Sequence, residues 1–519
     1  MNINQDYTSR VFRISCVGFI VYGIFIRLFH FISNRSLYTD EAYLGYNLLA
    51  RDFRDLAEPL DANQHAPLFF LWIEKLNMYL FGTSEYALRL FPLIIGILSI
   101  FLFYYLCKQL EFNQVTTLTG MVVFTTAFPL VYYSSETKQY IVELAATLCS
   151  YLLYYHFKSE KRFSALSFYA LSGALLVWFS YTVIFVLVSI SFVHLLIVTV
   201  QKKWSTFFVM GIVYAIWGIS FLVNFAVIIL PNSLKTNTIV DMWTTEFAPF
   251  PLHSINDVKW YGIMIFKLFH EPLNLNWTFL ESWLLYPLLF SFLGLGFTIW
   301  GSLQYFRKDK EKLSLFMLPV LITLLASGVH KYPFTERFLV FLVPNFLILI
   351  CCGVEQFYNK FFSYSRILVV AVIIWLVIPP VFTSVKDMIQ EEQFGGWKRR
   401  EVKKGIRYLS EHKKNDEFIF INGVAYSFQY YNKVYQLNWP YEMIWNGDDL
   451  NTQTTQKVML EDIHTKSSGK RFWVIVAGDL NEGVGTNHKE QFLHFFKENF
   501  NQIQYYKAKG IYVGQFSSK

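Results

Sequence analysis

The chain has 519 residues, of which 54% are hydrophobic and 19% aromatic, with only 16% charged, and its mean hydropathy is +0.33. A soluble protein carries charge on roughly a quarter of its residues, so a wholly soluble fold is excluded and much of the surface must face lipid. The net charge of +7 suits the basic loops of a membrane protein and anionic lipid, and no nucleic-acid partner is expected.

A membrane span needs about 20 mostly apolar residues. The first such stretch is 13–32, and no small-x-small cleavage site follows it, so it reads as a retained signal anchor. Further stretches lie at 86–107, 115–133, 139–157, 165–181, 183–200, 206–230, 283–305, 313–330, 336–353 and 367–385. Together they predict a polytopic α-helical membrane protein of about eleven transmembrane helices. The 53 Phe and 33 Tyr fit lipid-facing surfaces with interfacial aromatic belts. Cys16, Cys107, Cys149, Cys351 and Cys352 all fall in or at the ends of apolar stretches, which suits packing better than ligation or disulfides.

The connections alternate in charge. Arg10 and Arg13, Lys108, Lys158 with Lys161 and Arg162, Lys202 and Lys203, Arg307 to Lys312, and Lys360 with Arg366 share one side. The positive-inside rule makes that side cytoplasmic, with the N-terminus. The outer side receives 33–85, 231–282 and everything after 385. Pro67 to Gly82 is apolar but short and contains Glu74, Lys75 and Asn77, so it belongs at the outer interface. Counting it as a span would turn every later basic loop outward.

From about Gly395 the composition becomes that of a soluble domain. Helices are predicted over Glu401 to His412, Asp449 to His464 and His488 to Asn499. Glu417 to Asn422 and Arg471 to Ala477 read as buried strands, and Gln502 to Tyr506 with Ile511 to Phe516 as a terminal hairpin. The organisation is therefore a membrane domain over 1–390 with outer loops 33–85 and 231–282, followed by a small extracytoplasmic α/β domain over 395–519. That domain's ordinary composition suits a non-catalytic cover.

Ionisable residues are scarce in the middle of the spans and gather at their outer ends. Tyr38-Thr39-Asp40-Glu41-Ala42-Tyr43 reads as the start of a short helix capped by Thr39 or Asp40; alone, the acids need do no more than complement a helix dipole. His65-Ala66-Pro67-Leu68-Phe69-Phe70 leads to Phe81-Gly82-Thr83-Ser84-Glu85 and Arg89, a histidine and an arginine that interfacial packing and snorkelling would also explain. In Tyr132 to Tyr140 (YYSSETKQY), Glu136, Tyr140 and Glu143 have the spacing of one helix face. Lys331 and Arg337, in His330 to Arg337 (HKYPFTER), suit a phosphate group, whether of a substrate or of ordinary lipid.

In this order, DEAY after the first helix, HAPLFF, FGTSEYALRLFPLIIG, YSSETKQY and YPFTERFLVFLVP resemble the GT-C glycosyltransferases, with Asp241-Met242-Trp243 to Phe250-Pro251-Leu252 adding support. The resemblance covers about 11–385 and is closest to the protein O-mannosyltransferase and aminoarabinose-transferase branch, including bacterial family 39 and RgtA/B/C/D-like proteins. It implies a polyprenyl-phosphate sugar donor and an acceptor on the outer face, which the residues leave open as a glycolipid, a polysaccharide or a protein. Asp40 matches the family's catalytic acid, with Glu41 beside it. The resemblance and the chemistry together nominate Lys138, Arg337, Arg89 and Lys331 for the lipid phosphate, and His65, Tyr43, Tyr140 and Glu136 as further substrate contacts. With no HExxH motif or cysteine cluster, no cofactor or metal is expected; a divalent ion would have to sit among Asp40, Glu136 and His65. The alternatives are a lipid-linked sugar flippase or transporter, which would place charges along a mid-span path, and a non-catalytic scaffold.

Overall fold

A computed structural model describes residues 3–235, 243–276, 286–389, 393–394, 397–398, 400–444, 453–467, 469–477 and 488–519. Each of the eleven apolar stretches is mainly helical where described. Seven helices among the described residues are long and apolar enough to cross a membrane, from Arg10–Ile32 to Arg366–Ile389. The others are shorter, less apolar or interrupted. The predicted span 115–133 is two helices, Gln114–Thr126 and Phe128–Tyr133, because Ala127 leaves the helical region and Pro129 starts the second. The helix Leu68–Phe81 has 14 residues, roughly 21 Å, too short for a hydrocarbon layer of about 30 Å.

The chain forms two compact units. The first comprises Met1–Ile32, Asp52–Leu80 and Arg89–Ile389. Within it, loops sort into two sets. Lys158 pairs with Glu311 at 2.7 Å, and the Asn113 N–H donates to Glu355 at 2.9 Å, which joins loops that the charge pattern puts on one side. Gln139 donates to the His65 carbonyl, Tyr181 to the Ala66 carbonyl, and the Phe334 N–H to the Glu246 carbonyl. These belong to the other set, as the alternation of spans requires.

Helices Tyr286–Lys308 and Val343–Phe361 pack backbone to backbone. A Cβ on Gly301 would lie 2.0 Å from the Leu349 carbonyl oxygen, and one on Gly353 would lie 2.2 Å from that of Phe297. Only glycine permits this approach, the usual way for helices to associate where lipid removes the hydrophobic drive.

The second unit comprises Ser33–Arg51, Phe81–Leu88 and Gln390–Lys519. Two pieces of the loop 33–85 therefore fold with the terminal domain. Short strands Gln393–Phe394 (β1) and Trp397–Lys398 (β2) pair antiparallel. The main sheet uses Phe418–Asn422 (β3), Tyr441–Met443 (β4), Phe472–Ala477 (β5), Phe500–Ala508 (β6) and Ile511–Ser518 (β7), in the order β4-β3-β5-β7-β6. β4, β3 and β5 run parallel, and β5, β7 and β6 antiparallel. One face buries Phe420, Phe472, Val474, Phe496, Phe500 and Phe516. Glu417, also buried, accepts from Trp473 Nε1 and Gln515 Nε2, each at 2.7 Å. The predicted helix over Asp449 to His464 is Gln453–Ser467 where described, and Asp448, Asp449, Gly395, Asp241 and Met242 lie outside the described residues. The helix Ala425–Val434 and the strand β4 were not evident from the sequence pattern.

Replacing Gly301 by Val should force the paired helices apart and lower stability by roughly 1–3 kcal/mol, the usual range for overpacking. Gly296→Val, on the same helix but with open space around its Cβ position, should change little. Thermal unfolding of both variants in detergent checks this; equal losses would contradict the close-packed pair.

Candidate active site

In the second unit, the acidic pair opens the helix Thr39–Ala50. The cap is neither Thr39 nor Asp40. Tyr38 holds extended backbone at that position, and both expected caps fall inside the first turn. The Tyr38 N–H donates to Glu41 Oε2 at 3.0 Å, so Glu41 satisfies the helix start and is fully buried. Asp40 is half-buried. Tyr43, also half-buried, meets Tyr426 edge to face at 4.2 Å. Burial, then Tyr426 and Asp40, push the Tyr43 hydroxyl above its ordinary range, with Arg400 opposing.

This helix is fixed by long-range contacts. Tyr431 accepts from the Leu37 N–H at 2.8 Å and donates to Glu85 at 2.7 Å. Lys403 pairs with the same Glu85 at 3.1 Å, and Tyr430 donates to the Thr83 carbonyl at 2.8 Å. Gly45 faces Tyr430, whose ring would stand 3.1 Å from an added Cβ. The DEAY motif is thus packed directly on the helix Ala425–Val434.

In the first unit, the turn after Tyr133 holds the next group. Lys138 is 5% exposed and donates to Gln64 Oε1 at 2.6 Å. His65, half-buried beside it, has its imidazole pushed below the usual range by burial and then by the Lys138 charge, which favours the neutral ring. Tyr132 donates to Glu136 Oε1 at 3.1 Å. The expected single helix face through Glu136, Tyr140 and Glu143 is not present, because the helix begins at Tyr140 and Glu136 sits in the turn before it. Glu143 instead lies buried within hydrogen-bonding reach of Thr182. Tyr140 packs between Tyr133 and Phe338, at ring distances of 4.9 and 6.3 Å.

Arg337 lies over Trp243 and Phe338, at 5.1 and 5.5 Å from the ring centroids. Near it is Glu271, which the sequence pattern did not single out. Burial, then the neighbouring Glu336, push the Glu271 carboxyl up to about 8, against the pull of Arg337, and Glu136 adds to the rise. Glu136 and Arg337 therefore act on one carboxyl, and Glu136 is two residues from Lys138. A protonated Glu271 leaves the surroundings of Arg337 more positive than three ionised carboxylates would, which favours an anionic group. Arg89 is buried, whereas Lys331 is exposed.

Arg27 is a further residue that sequence reasoning passed over. It is fully buried in the first helix and donates from Nε to Ser134 Oγ at 3.1 Å and from Nη1 to the Gly23 and Thr125 carbonyls at 3.0 Å. It props the turn that carries Lys138. A charge inside an apolar helix was the available signal. Among the described residues, no group of three His, Cys, Asp or Glu is placed to hold a metal ion.

The Glu271 carboxyl gives a pH test with a definite sign. Its folded value lies above that of a solvated glutamate, so the folded protein holds the extra proton between about 4.5 and about 8, and stability falls as pH rises through that window. Glu271→Gln should remove the slope, so that its melting temperature gains on wild type as pH increases from about 5 to about 9. A constant difference across that range would contradict the raised carboxyl.

Residues 64–231 match the family model described as dolichyl-phosphate-mannose-protein mannosyltransferase. Among curated proteins, no sequence matches. Two crystal structures of ArnT from Cupriavidus metallidurans are similar in fold. The apo form has a TM-score of 0.52 and the form bound to undecaprenyl phosphate 0.54; each is 10% identical, and each match covers 96% of this chain and 98% of that chain. Residues 64–231 are thus similar to the dolichyl-phosphate-mannose-protein mannosyltransferase family model, and the chain shares the fold of the ArnT structures.

Proposed function

We propose that this protein moves a monosaccharide from a polyprenyl-phosphate carrier to an acceptor at the outer face of the membrane. The observation that carries this reading is the gathering of Lys138, His65, Glu136, Glu271 and Arg337, from loops far apart in sequence, within one unit of a GT-C fold. The ArnT structure holding undecaprenyl phosphate supports a polyprenyl-phosphate partner.

In the proposed reaction, Asp40 takes the proton of an acceptor hydroxyl as its oxygen bonds to the anomeric carbon. The bond from that carbon to the phosphate oxygen breaks, and polyprenyl phosphate leaves with the electron pair. One displacement inverts the anomeric configuration and needs no covalent sugar–enzyme intermediate. Lys138 and Arg337 steady the charge on the departing phosphate. Glu41, committed to the Tyr38 N–H, holds the helix start in position. The terminal domain lies on the outer side and the N-terminus in the cytoplasm, as the basic loops indicate.

Asp40→Asn keeps the shape of the side chain and removes the base. Donor-lipid binding should persist while transfer falls by about 10² to 10⁴, the usual contribution of a positioned base. Transfer assays on purified, folded variant check this. Near-normal turnover would show that Asp40 does no more than complement the helix dipole.

A further inference from the structure

The helix Thr39–Ala50 buries Glu41, Ala42, Leu44, Gly45, Asn47 and Leu48. The part-exposed positions between them include Asp40, Tyr43 and Tyr46, each about one turn from the next. A surface helix ordinarily carries charged or polar side chains on such a stripe; this one carries two tyrosines in succession after its acid. A third part-exposed tyrosine, Tyr426, stands edge to face against both, at 4.2 Å from Tyr43 and 6.4 Å from Tyr46 between ring centroids. Asp40 and Arg400 both act on the Tyr43 hydroxyl, so an acid and a guanidinium share the region of the tyrosines.

Tyr426 is also placed by the sheet. It lies in the first turn of the helix Ala425–Val434, directly after β3. β4 and β5 flank β3 on opposite sides, and both run parallel to it. The chain passes from β3 through this helix to β4, and then through Gln453–Ser467 to β5. The carboxyl end of β3 is therefore a topological switch point, the place where open α/β sheets bind their ligands. Gly423, exposed and at a φ of 72°, begins the turn there, and a Cβ on it would lie 2.6 Å from the Ala477 carbonyl oxygen at the end of β5.

We propose that Tyr43, Tyr46 and Tyr426 form a platform that holds the acceptor, and that the acceptor is a carbohydrate whose hydroxyl is presented to Asp40. This names the acceptor class for the transferase reading and rests on the assignment of Asp40 as the base. A sugar ring is apolar on its faces, where C–H bonds point, and polar around its rim. An aromatic ring is negative at its face and attracts such C–H groups, while phenol hydroxyls and a guanidinium suit the rim. Tyrosine offers this mixed contact with few torsions to fix. Arg400 donates to Thr39 Oγ1 at 3.4 Å and to the Gly423 carbonyl at 3.3 Å, which ties the end of β3 to the start of the acidic helix. Lys433, exposed, lies over Tyr46 and extends the polar edge. A peptide acceptor is commonly captured as an added strand at an open sheet edge. β3 is paired on both sides, and the groups gathered at its end are side chains of two helices. The ring could belong to a glycolipid head group or to a polysaccharide, since both present the same faces and hydroxyls. The terminal domain then takes part in acceptor recognition, although its composition alone suggested a cover.

The test uses full-length protein in detergent with a radiolabelled polyprenyl-phosphosugar donor and separate envelope fractions of glycolipid, lipid-free polysaccharide and lipid-free protein. Label should enter the glycolipid or the polysaccharide, and the fraction that takes it identifies the source of the ring. Transfer confined to the protein fraction, or to none, overturns the proposal. With the accepting fraction, Tyr426→Ala should raise the acceptor KM about tenfold or more with donor KM unchanged, as expected for truncating an aromatic anchor. Tyr46→Ala should act in the same direction, and Tyr426→Phe, which keeps the ring, should stay much closer to wild type. Tyr505→Ala, on β6 and 56% exposed, should match wild type. A folded Tyr426→Ala with the wild-type acceptor KM, while Asp40→Asn has lost transfer, overturns the platform and leaves Asp40 as the base. Equal rises of donor and acceptor KM in both alanine variants overturn it as well. If Asp40→Asn keeps the wild-type rate, the assignment of the base fails and the proposal falls with it.

Discussion

Hydrocarbon offers no hydrogen-bond partner, and the rest of this structure follows from that constraint. Backbone groups crossing it must be satisfied within helices, and charged side chains must leave it or find partners inside the protein. Ionisable groups therefore collect in the turns that join helices, where water and lipid head groups begin. Arg27 is one exception: buried in the first helix, it is held by Ser134 Oγ and two carbonyls. Such a group stiffens the turn it reaches, and that turn carries Glu136 and Lys138. Close approaches such as Gly301 on Leu349 then bring helices together backbone to backbone.

The same constraint explains what the sequence made legible. Span length and apolarity located the eleven helical stretches, and the basic loops grouped ends that do meet, as Lys158 meets Glu311. Period-two and buried runs located β3, β5 and the β6–β7 hairpin. Local signals failed where geometry depends on distant residues. Thr39 and Asp40 look like caps, yet Tyr38 takes that place because its N–H is met by Glu41. The spacing of Glu136, Tyr140 and Glu143 is helical, but the turn at Ser134 to Gln139 delays the helix to Tyr140. The segment Ala425–Val434 mixes aromatic and polar residues without a clear period, so it was missed. Its role depends on Tyr431 reaching Leu37, a contact between residues far apart in the chain. Nothing near either residue announces it. Glu271 was hidden for a similar reason, since its neighbours Glu136 and Arg337 lie in two other loops.

The candidate site has an economy of charge that suits phosphate departure. Two cations are set among carboxyls, and one of those carboxyls is pushed toward its neutral form by burial and its own kind. Aromatic faces under Arg337 restrict where its charge can point. In the other unit, the acidic helix is clasped by tyrosines and by the Glu85–Lys403 pair, so its first turn has little freedom. Orientation of this kind, set before substrate arrives, is what the proposed roles of Asp40 as base and of Lys138 and Arg337 at the phosphate require.

The central claim is that the sugar–phosphate bond is broken, and the lipid product reports it most directly. Purified protein in liposomes, given a defined polyprenyl-phosphosugar and an envelope-derived acceptor fraction, should release free polyprenyl phosphate, measured by mass spectrometry. The release should equal the sugar gained by the acceptor. Recovery of the phosphosugar intact, on either side of the bilayer, would contradict a transferase and indicate a carrier for lipid-linked sugar.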